Sequence, residues 1–117
     1  MNRRQIGAKQ ETAAVRYLSE QGYSILERNY RNHYGEIDII ANKDHVLVFV
    51  EVKYRSTDVY GDPLEAVDTY KQRRICRAAL YYYSRQRNRR EMPCRFDVIA
   101  IYGDGTIRHI EDAFEYR

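Results

Sequence analysis

The chain has 117 residues, enough for one domain with a buried core and too few for two. Its 44% hydrophobic and 32% charged residues exclude a disordered chain, and no run approaches the roughly 20 apolar residues of a membrane-spanning helix. Twenty Lys and Arg against 17 Asp and Glu leave a formal charge of only +3. We expect one domain over residues 1–117, with no signal peptide and no membrane partner. The two cysteines lie far apart in the chain and form no Cys-x-x-Cys pair, which suits a reducing compartment. A cytoplasmic location is therefore expected.

The first half of the chain predicts a helix followed by three strands. Residues 6–21 place apolar side chains at helical spacing, and Gly22 ends the pattern. The strands are predicted at 23–30, 36–41 and 46–54, with turns at 31–34 and 42–44. Because the second turn is so short, the second and third strands are expected to form an antiparallel hairpin.

The second half predicts two helices and two strands. Capping patterns at 62–65 and 69–72 indicate a short helix and then a longer one that reaches about residue 87. An apolar strand at 95–102 follows the long helix, so it is expected to return by a crossover and to pair in parallel. A last short strand is predicted at 106–110. This order favours an α/β fold with a mixed central sheet flanked by helices.

Charged residues interrupt both strands of the hairpin. Asp38 stands between two isoleucines, while Glu51 and Lys53 share one face of the third strand with Phe49. The hairpin register brings Asp38 opposite or diagonal to Glu51 and Lys53. Two close carboxylates repel each other unless a cation lies between them. Oxygen ligands without Cys or His favour Mg²⁺ or Mn²⁺ over zinc.

A third acid stands in an unfavourable position on the first helix. Glu11 shares the apolar stripe of that helix with Ala14 and Leu18. The alternative explanation for the hairpin charges is an ordinary cross-strand ion pair on a solvated sheet face. Apolar residues on both sides of the third strand indicate that both faces are covered, which favours a site.

The long helix is strongly basic. Between residues 71 and 90 the chain carries eight Lys and Arg and no acid, whereas Ile75, Ala79 and Tyr82 form an apolar face. The basic residues outside that face are candidates for contacts with the phosphate backbone of a nucleic acid: Lys71, Arg73, Arg74 and Arg77. A merely solvated charged face is the alternative, and it stays open at this point.

The aromatic and imidazole side chains give weaker signals. The three consecutive tyrosines at 81–83 offer rings that stack on bases, but at least two of them are expected to pack inside the protein. His33, His45 and His109 have no metal-ligand spacing, and all three are expected at the surface.

These residues carry a resemblance to a known family. An acid on the first helix, an Asp in the second strand and Glu-x-Lys in the third follow the order of the PD-(D/E)xK nuclease superfamily. More closely, the chain resembles the YraN family of small bacterial proteins, which is related to archaeal Holliday-junction resolvases. The segments that match are Gly7 with Glu11, GEID at 35–38, VFVEVK at 48–53, EAV at 65–67, RFDV at 95–98 and IEDAF at 110–114. Ile37 replaces the proline of the superfamily motif, and Gln10 stands where many relatives have glycine.

The resemblance implies a restriction-endonuclease-like three-layer fold and a metal-dependent endonuclease that acts on DNA, including branched DNA. Asp38 and Glu51, with the backbone carbonyl of Val52, would hold one or two Mg²⁺ or Mn²⁺ ions, which polarise the phosphate and activate water. Lys53 would orient the water or stabilise the transition state, and Glu11 would complete the outer shell. A homodimer is expected by analogy with the resolvases.

Two rival functions remain compatible with the sequence. One is a non-catalytic nucleic-acid-binding module that keeps the nuclease fold and the basic helix. The other is an assembly protein that uses the hairpin as an interface and needs no metal. The presence of Asp38, Glu51 and Lys53 together favours the enzyme, because loss of function usually removes at least one such residue.

Overall fold

The structure is a computed structural model that describes residues 3–56, 67–86 and 91–116, with side chains from residue 11 onward. Its elements in chain order are α1 (Arg3–Glu20), β1 (Ser24–Asn32), β2 (Gly35–Lys43), β3 (Val46–Arg55), α2 (Thr69–Ser84), β4 (Cys94–Tyr102) and β5 (Ile107–Phe114). Within these ranges the strands form one sheet in the order β1-β2-β3-β4-β5. The β3–β4 pair is parallel and the other pairs are antiparallel, as the crossover and the hairpin predicted.

Among the described residues, helix α1 covers one face of the sheet and helix α2 covers the other. Ala14 and Leu18 of α1 pack against Val48 and Val50 of β3, while the apolar face of α2 packs against Phe49 on the other side. The alternation of side chains along a strand explains how β3 supplies both cores. The predicted α/β fold is therefore confirmed, and the arrangement is consistent with a restriction-endonuclease-like three-layer architecture.

Several element boundaries differ from those predicted. Strand β1 continues to Asn32, and β5 continues to Phe114. The turn between β2 and β3 is the pair Asp44–His45, whose φ angles of 51° and 66° fit the tight turn of a two-residue hairpin. Helix α2 begins after Asp68, whose side chain accepts a hydrogen bond from Lys71 N at 2.8 Å, and it ends at Ser84. The predicted short helix at 62–65 lies outside the described residues.

Two glycines determine how the helices meet the sheet. Gly22, with φ of 90°, ends α1 in a turn in which Tyr23 N donates to Leu18 O at 3.0 Å. Gly35 begins β2 directly against α2, and a Cβ added there would lie 3.3 Å from Arg74 O. This close approach brings the N-terminal half of α2 over the beginning of β2 and sets the position of the site described next.

Candidate functional site

A cavity of about 390 Å³ lies between the hairpin and the N-terminal half of α2. Strand β2, strand β3 and helix α2 each contribute charged side chains to it. Its lining residues are Glu36, Asp38, Glu51, Val52, Lys71, Arg74 and Ile75. The structure thus brings the two predicted metal-binding carboxylates into one cavity, together with residues from the basic helix.

Asp38 occupies the point where β2 and β3 separate. The hairpin pairing ends at Ile39 opposite Val50, and beyond it Asp38 Oδ2 accepts a hydrogen bond from Val52 N at 2.7 Å. The side chain therefore replaces a backbone carbonyl as the partner of that N–H group. Burial, and then the nearby charge of Glu51, raise the pKa of Asp38 to about 7. The Val52 N–H and two lysine ammonium groups oppose this rise without cancelling it.

Glu51 is buried and receives two ammonium groups on one oxygen. Lys71 Nζ lies 2.9 Å from Glu51 Oε1, and Lys53 Nζ lies 3.4 Å from the same atom. Burial, followed by the neighbouring Lys71, lowers the pKa of Lys53. Burial also acts to lower the pKa of Lys71, but its contacts with Lys53 and Glu51 reverse this effect and raise it. A buried charge is tolerated when it is paired in this way.

The residues of the cavity fit a divalent cation. Asp38 and Glu51 supply carboxylate oxygens, and the two ammonium groups on Glu51 show that the site accommodates positive charge. Across the described ranges, no three His, Cys, Asp or Glu side chains converge as a metal-binding group. Mg²⁺ is compatible with this donor set, because it keeps several waters and often binds only one or two protein carboxylates. The Val52 carbonyl as a third ligand stays a prediction.

Glu11 does not line this cavity. Its side chain is 13% exposed, and its Oε1 atom lies 3.6 Å from Arg28 Nε. That oxygen is buried and accepts no hydrogen bond from the described part of the chain. The physical reason is that α1 packs on the sheet face opposite α2, so its stripe points to the other core. The outer-shell role expected for Glu11 stays a prediction without a supporting contact.

The basic helix divides its charges between the cavity and the solvent. Arg73, Arg74 and Arg77 are exposed as predicted, and Arg74 also lines the cavity. Lys71 differs from the prediction, because its ammonium group contacts Glu51 rather than projecting from the outer face of α2. Spacing in the chain does not predict this contact, since the two partners are 20 positions apart and the docking of α2 brings them together.

A second charged cluster lies on the α1 side of the sheet, where the sequence analysis placed no site. Asp97 is fully buried and accepts hydrogen bonds from Arg95 Nε at 2.9 Å and from Asp112 N at 3.0 Å. His109 Nε2 lies 2.7 Å from Asp97 Oδ2, and His109 Nδ1 lies 3.1 Å from Tyr17 OH. Burial acts to raise the pKa of Asp97, but the hydrogen bonds from His109 and Arg95 outweigh it and lower the pKa. This cluster connects α1, β4 and β5.

The surface position predicted for His109 is therefore wrong. Its side chain is only 6% exposed, because His109 lies opposite Ile99 of β4 and its ring contacts Asp97 and Tyr17. The signal for this cluster was an acid in the apolar strand RFDVIAIY, which is the same kind of anomaly that identified Asp38. His33 and His45 are exposed as predicted.

The fold and the cavity define a small α/β protein with a mixed sheet between two helices and a paired-carboxylate hairpin. The chain belongs to the uncharacterised protein family UPF0102, the YraN family, whose sequence model matches residues 10–101. The family resemblance drawn from the motifs is thereby confirmed. No helix in the described ranges has the length and apolar character needed to cross a membrane.

Relatives in this family match the chain over nearly its whole length. A UPF0102 protein of Lachnoclostridium phytofermentans is 50% identical over 115 residues, which cover 98% of this chain and 97% of the relative. Another, from Thermodesulfovibrio yellowstonii, is 46% identical over 114 residues, covering 97% and 99%. A third, from Vibrio parahaemolyticus, is 44% identical over 113 residues, covering 96% and 93%. The family name states no activity.

Proposed function

We propose that the protein is a metal-dependent endonuclease that hydrolyses phosphodiester bonds in DNA, including branched DNA. The observation that carries this proposal is the charge arrangement of the cavity. Asp38 and Glu51 line it together with Lys71, and Lys53 contacts the same Glu51 oxygen as Lys71. The cavity lies beside the exposed arginines of an acid-free helix. Such a site combines oxygen ligands for a hard cation with groups that attract and neutralise a phosphate.

Four residues in and beside the cavity have roles in this proposal. Asp38 and Glu51 would hold Mg²⁺ or Mn²⁺, which when bound polarises a phosphate oxygen and activates a water. The hydrogen bond from Val52 N fixes the orientation of the Asp38 carboxylate. Lys53, on the same strand face as Glu51, provides a compact positive charge that orients the attacking water or stabilises charge developing on the phosphate.

The basic helix supplies the DNA-binding surface in this proposal. Arg73, Arg74 and Arg77 are exposed on α2, and α2 contains no acid. Arg74 also lines the cavity, so it joins this surface to the proposed reaction centre. Neutralisation of phosphates by these side chains would release counterions and favour binding. A homodimer, as in the resolvases, would present two such cavities to the two strands of a branched substrate.

One observation favours the non-catalytic binding module as a second candidate. Glu51 is already neutralised by Lys53 and Lys71, so the cavity is electrostatically balanced without any metal. In that case the lysines would be structural partners of Glu51, and the arginines of α2 would account for the whole function. Catalysis and binding therefore need to be separated at a single residue.

The substitution Lys53→Ala separates catalysis from DNA binding. We expect this variant to lower single-turnover DNA cleavage in Mg²⁺ or Mn²⁺ by at least about 10²-fold, the usual cost of losing a positioned electrostatic or acid–base group. DNA affinity measured in Ca²⁺ is expected to change little, because one lysine among many basic groups contributes little to it. Lys43→Ala, at the turn end of the same hairpin, serves as the matched control and is expected to leave cleavage unchanged.

The result that contradicts the proposal is cleavage by Lys53→Ala at the wild-type rate, which would place the active site elsewhere. A wild-type protein that cuts no linear, flapped or four-way DNA in either metal would favour the binding module.

A further inference from the structure

A cluster of three rings, two exposed and one partly exposed, lies at the other end of α2 from Lys71. His33 and Tyr34 form the turn between β1 and β2, and Tyr81 projects from α2. The ring centroids of His33 and Tyr34 are 4.1 Å apart, those of His33 and Tyr81 5.2 Å, and those of Tyr34 and Tyr81 5.9 Å. We call these three residues the aromatic platform. Tyr34 remains 44% exposed within it.

The core does not require these rings. Tyr82 and Tyr83, the neighbours of Tyr81 in sequence, pack against the apolar cluster beneath α2, as predicted for two of the three tyrosines. Tyr81, His33 and Tyr34 belong to neither apolar cluster. Exposed aromatic rings that gather at one place without closing a core indicate a surface that contacts a ligand.

The turn that carries the platform is held in place. Asn32 Oδ1 accepts a hydrogen bond from Tyr34 N at 2.9 Å, and Asn32 Nδ2 donates to Ala78 O of α2 at 3.2 Å. One side chain therefore shapes the turn and fastens it to the helix. A preorganised surface binds a ligand with a smaller entropic cost than a mobile one.

Positive charge runs from the platform to the cavity along α2. Arg85 lies over the Tyr81 ring at 5.0 Å and donates to Tyr81 OH at 3.0 Å. Arg74, Arg77, Tyr81 and Arg85 follow one another at spacings of three and four residues, so they share one exposed stripe of the helix. Arg74 lines the cavity, and Tyr81 lies about two turns further along, roughly 10 Å on the helix axis.

We propose that the aromatic platform binds an unpaired base of the DNA whose backbone follows this stripe. The inference rests on the proposed function and specifies its substrate class: DNA with single-stranded nucleotides a few positions from the phosphate in the cavity. Aromatic rings stack on any base, because every base has a π-face, and arginines beside them contact the adjoining phosphates. Bases within an intact duplex are already stacked on each other and are not available to the platform.

The test compares two DNA ligands in Ca²⁺, a blunt duplex and the same duplex with a single-stranded flap that carries 2-aminopurine. We expect Tyr34→Ala combined with Tyr81→Ala to weaken flap binding about 5- to 150-fold, the usual effect of removing base–aromatic stacking. Affinity for the blunt duplex is expected to stay within about twofold, because phosphate contacts dominate it. The wild type should quench 2-aminopurine fluorescence, and the double variant should not.

Two control variants make the result specific. Tyr34→Phe combined with Tyr81→Phe keeps the rings and is expected to retain wild-type affinity for the flap. Tyr116→Ala removes a ring that is 57% exposed near the opposite sheet edge and is expected to change neither ligand's binding. The inference would be overturned if the double alanine variant lost affinity equally for the flap and the blunt duplex, or lost affinity for neither. If the wild type binds neither DNA, the proposed function itself is overturned. That result differs from failure of the inference alone, in which the wild type binds DNA but the aromatic platform does not contribute.

Discussion

Asp38 on β2 and Asp97 on β4 differ in how fully their carboxylates are paired. Asp97 is fully buried but accepts hydrogen bonds from Arg95 and Asp112 N and contacts His109, and its pKa is lowered. Asp38 accepts one backbone hydrogen bond, and its pKa is raised to about 7. A buried acid whose charge is fully satisfied supports the structure. One whose charge is left partly unsatisfied is a candidate for binding a cation.

Asp38→Asn is expected to stabilise the metal-free protein increasingly as pH rises. A carboxyl whose folded pKa exceeds its unfolded value contributes stability below about pH 4, and that contribution is lost as pH rises toward about 7. Asparagine keeps an oxygen acceptor for Val52 N and carries no charge. Thermal unfolding in EDTA should show a gap between variant and wild type that grows from pH 4 to pH 8, reaching on the order of 2–4 kcal/mol.

Asp44→Asn, the same exchange at the exposed hairpin turn, is the matched control for that series. A stability gap for Asp38→Asn that stays constant from pH 4 to pH 8 would show that the Asp38 carboxylate is not held in an unfavourable environment.

In the proposed site, Lys71 would compete with a cation for Glu51. Its ammonium group lies 2.9 Å from Glu51 Oε1, and a divalent ion can bind that oxygen only if the ion pair weakens. We expect Lys71→Met to tighten Mn²⁺ binding up to about fivefold, which corresponds to the roughly 0.2–1 kcal/mol of a partly exposed ion pair. Calorimetric titration measures this directly, with Arg73→Met, an exposed neighbour on α2, as the control. Weaker Mn²⁺ binding by Lys71→Met would contradict the competition.

At the scale of elements, the docking of α2 depends on one close contact. Gly35 leaves little space for a Cβ atom, which would lie 3.3 Å from Arg74 O. Gly35→Ala is therefore expected to push α2 outward by a few tenths of an ångström and to destabilise the fold by about 1–3 kcal/mol. Denaturant unfolding of the metal-free variant is the measurement. An unchanged unfolding midpoint would mean that α2 adjusts freely and that its position over the cavity is not fixed by Gly35.

The exposed arginines of α2 should determine the salt dependence of DNA binding. Reversing the charges of Arg73, Arg74 and Arg77 is expected to lower the slope of log affinity against log salt by roughly one unit for each lost phosphate contact. Reversal of Arg16 and Arg108, which are exposed on α1 and β5, is the control and should change the slope less. Equal slopes for the α2 variant and the wild type would move the binding surface away from this helix.

The sequence predicts element boundaries well where they depend on a single local residue or turn. Gly22 ends α1, and the short turn after β2 produces the hairpin, because each depends on residues close in the chain. Thr69 was mistaken for the cap of α2 because it adjoins Asp68, and both residue types cap helices. The length of β5 was underestimated because Glu111 and Asp112 are polar residues in a strand.

Contacts between distant residues account for what the sequence did not predict. The carboxylates of the hairpin were identified because strand alternation places them, and the cavity contains both. The ion pair of Lys71 with Glu51 and the contact of His109 with Asp97 depend on the packing of complete elements. Neither contact follows from spacing in the chain.

At the scale of the whole molecule, the sheet separates two charged clusters with different properties. On the α1 side, Asp97 and its partners are buried within the junction of three elements. On the α2 side, Asp38 and Glu51 lie in an open cavity next to exposed arginines. The residues of the proposed site therefore lie on the α2 face of the sheet, and α1 packs on the opposite face.

The central claim is that Asp38 and Glu51 together bind a divalent cation. The thermal stability of the protein in Mn²⁺ tests this claim most directly. At pH 8 the free energy of unfolding of the wild type should increase by about 2.7 kcal/mol when free Mn²⁺ is about 100 times its dissociation constant. The gain should shrink at pH 5.5, because the ion must displace the Asp38 proton. The double variant Asp38→Ala, Glu51→Ala should show no gain, whereas alanine at the exposed turn residues Asp44 and Asp104 should leave the gain intact. A wild-type melting temperature indifferent to Mn²⁺, or an equal gain in the Asp38, Glu51 double variant, would contradict the account.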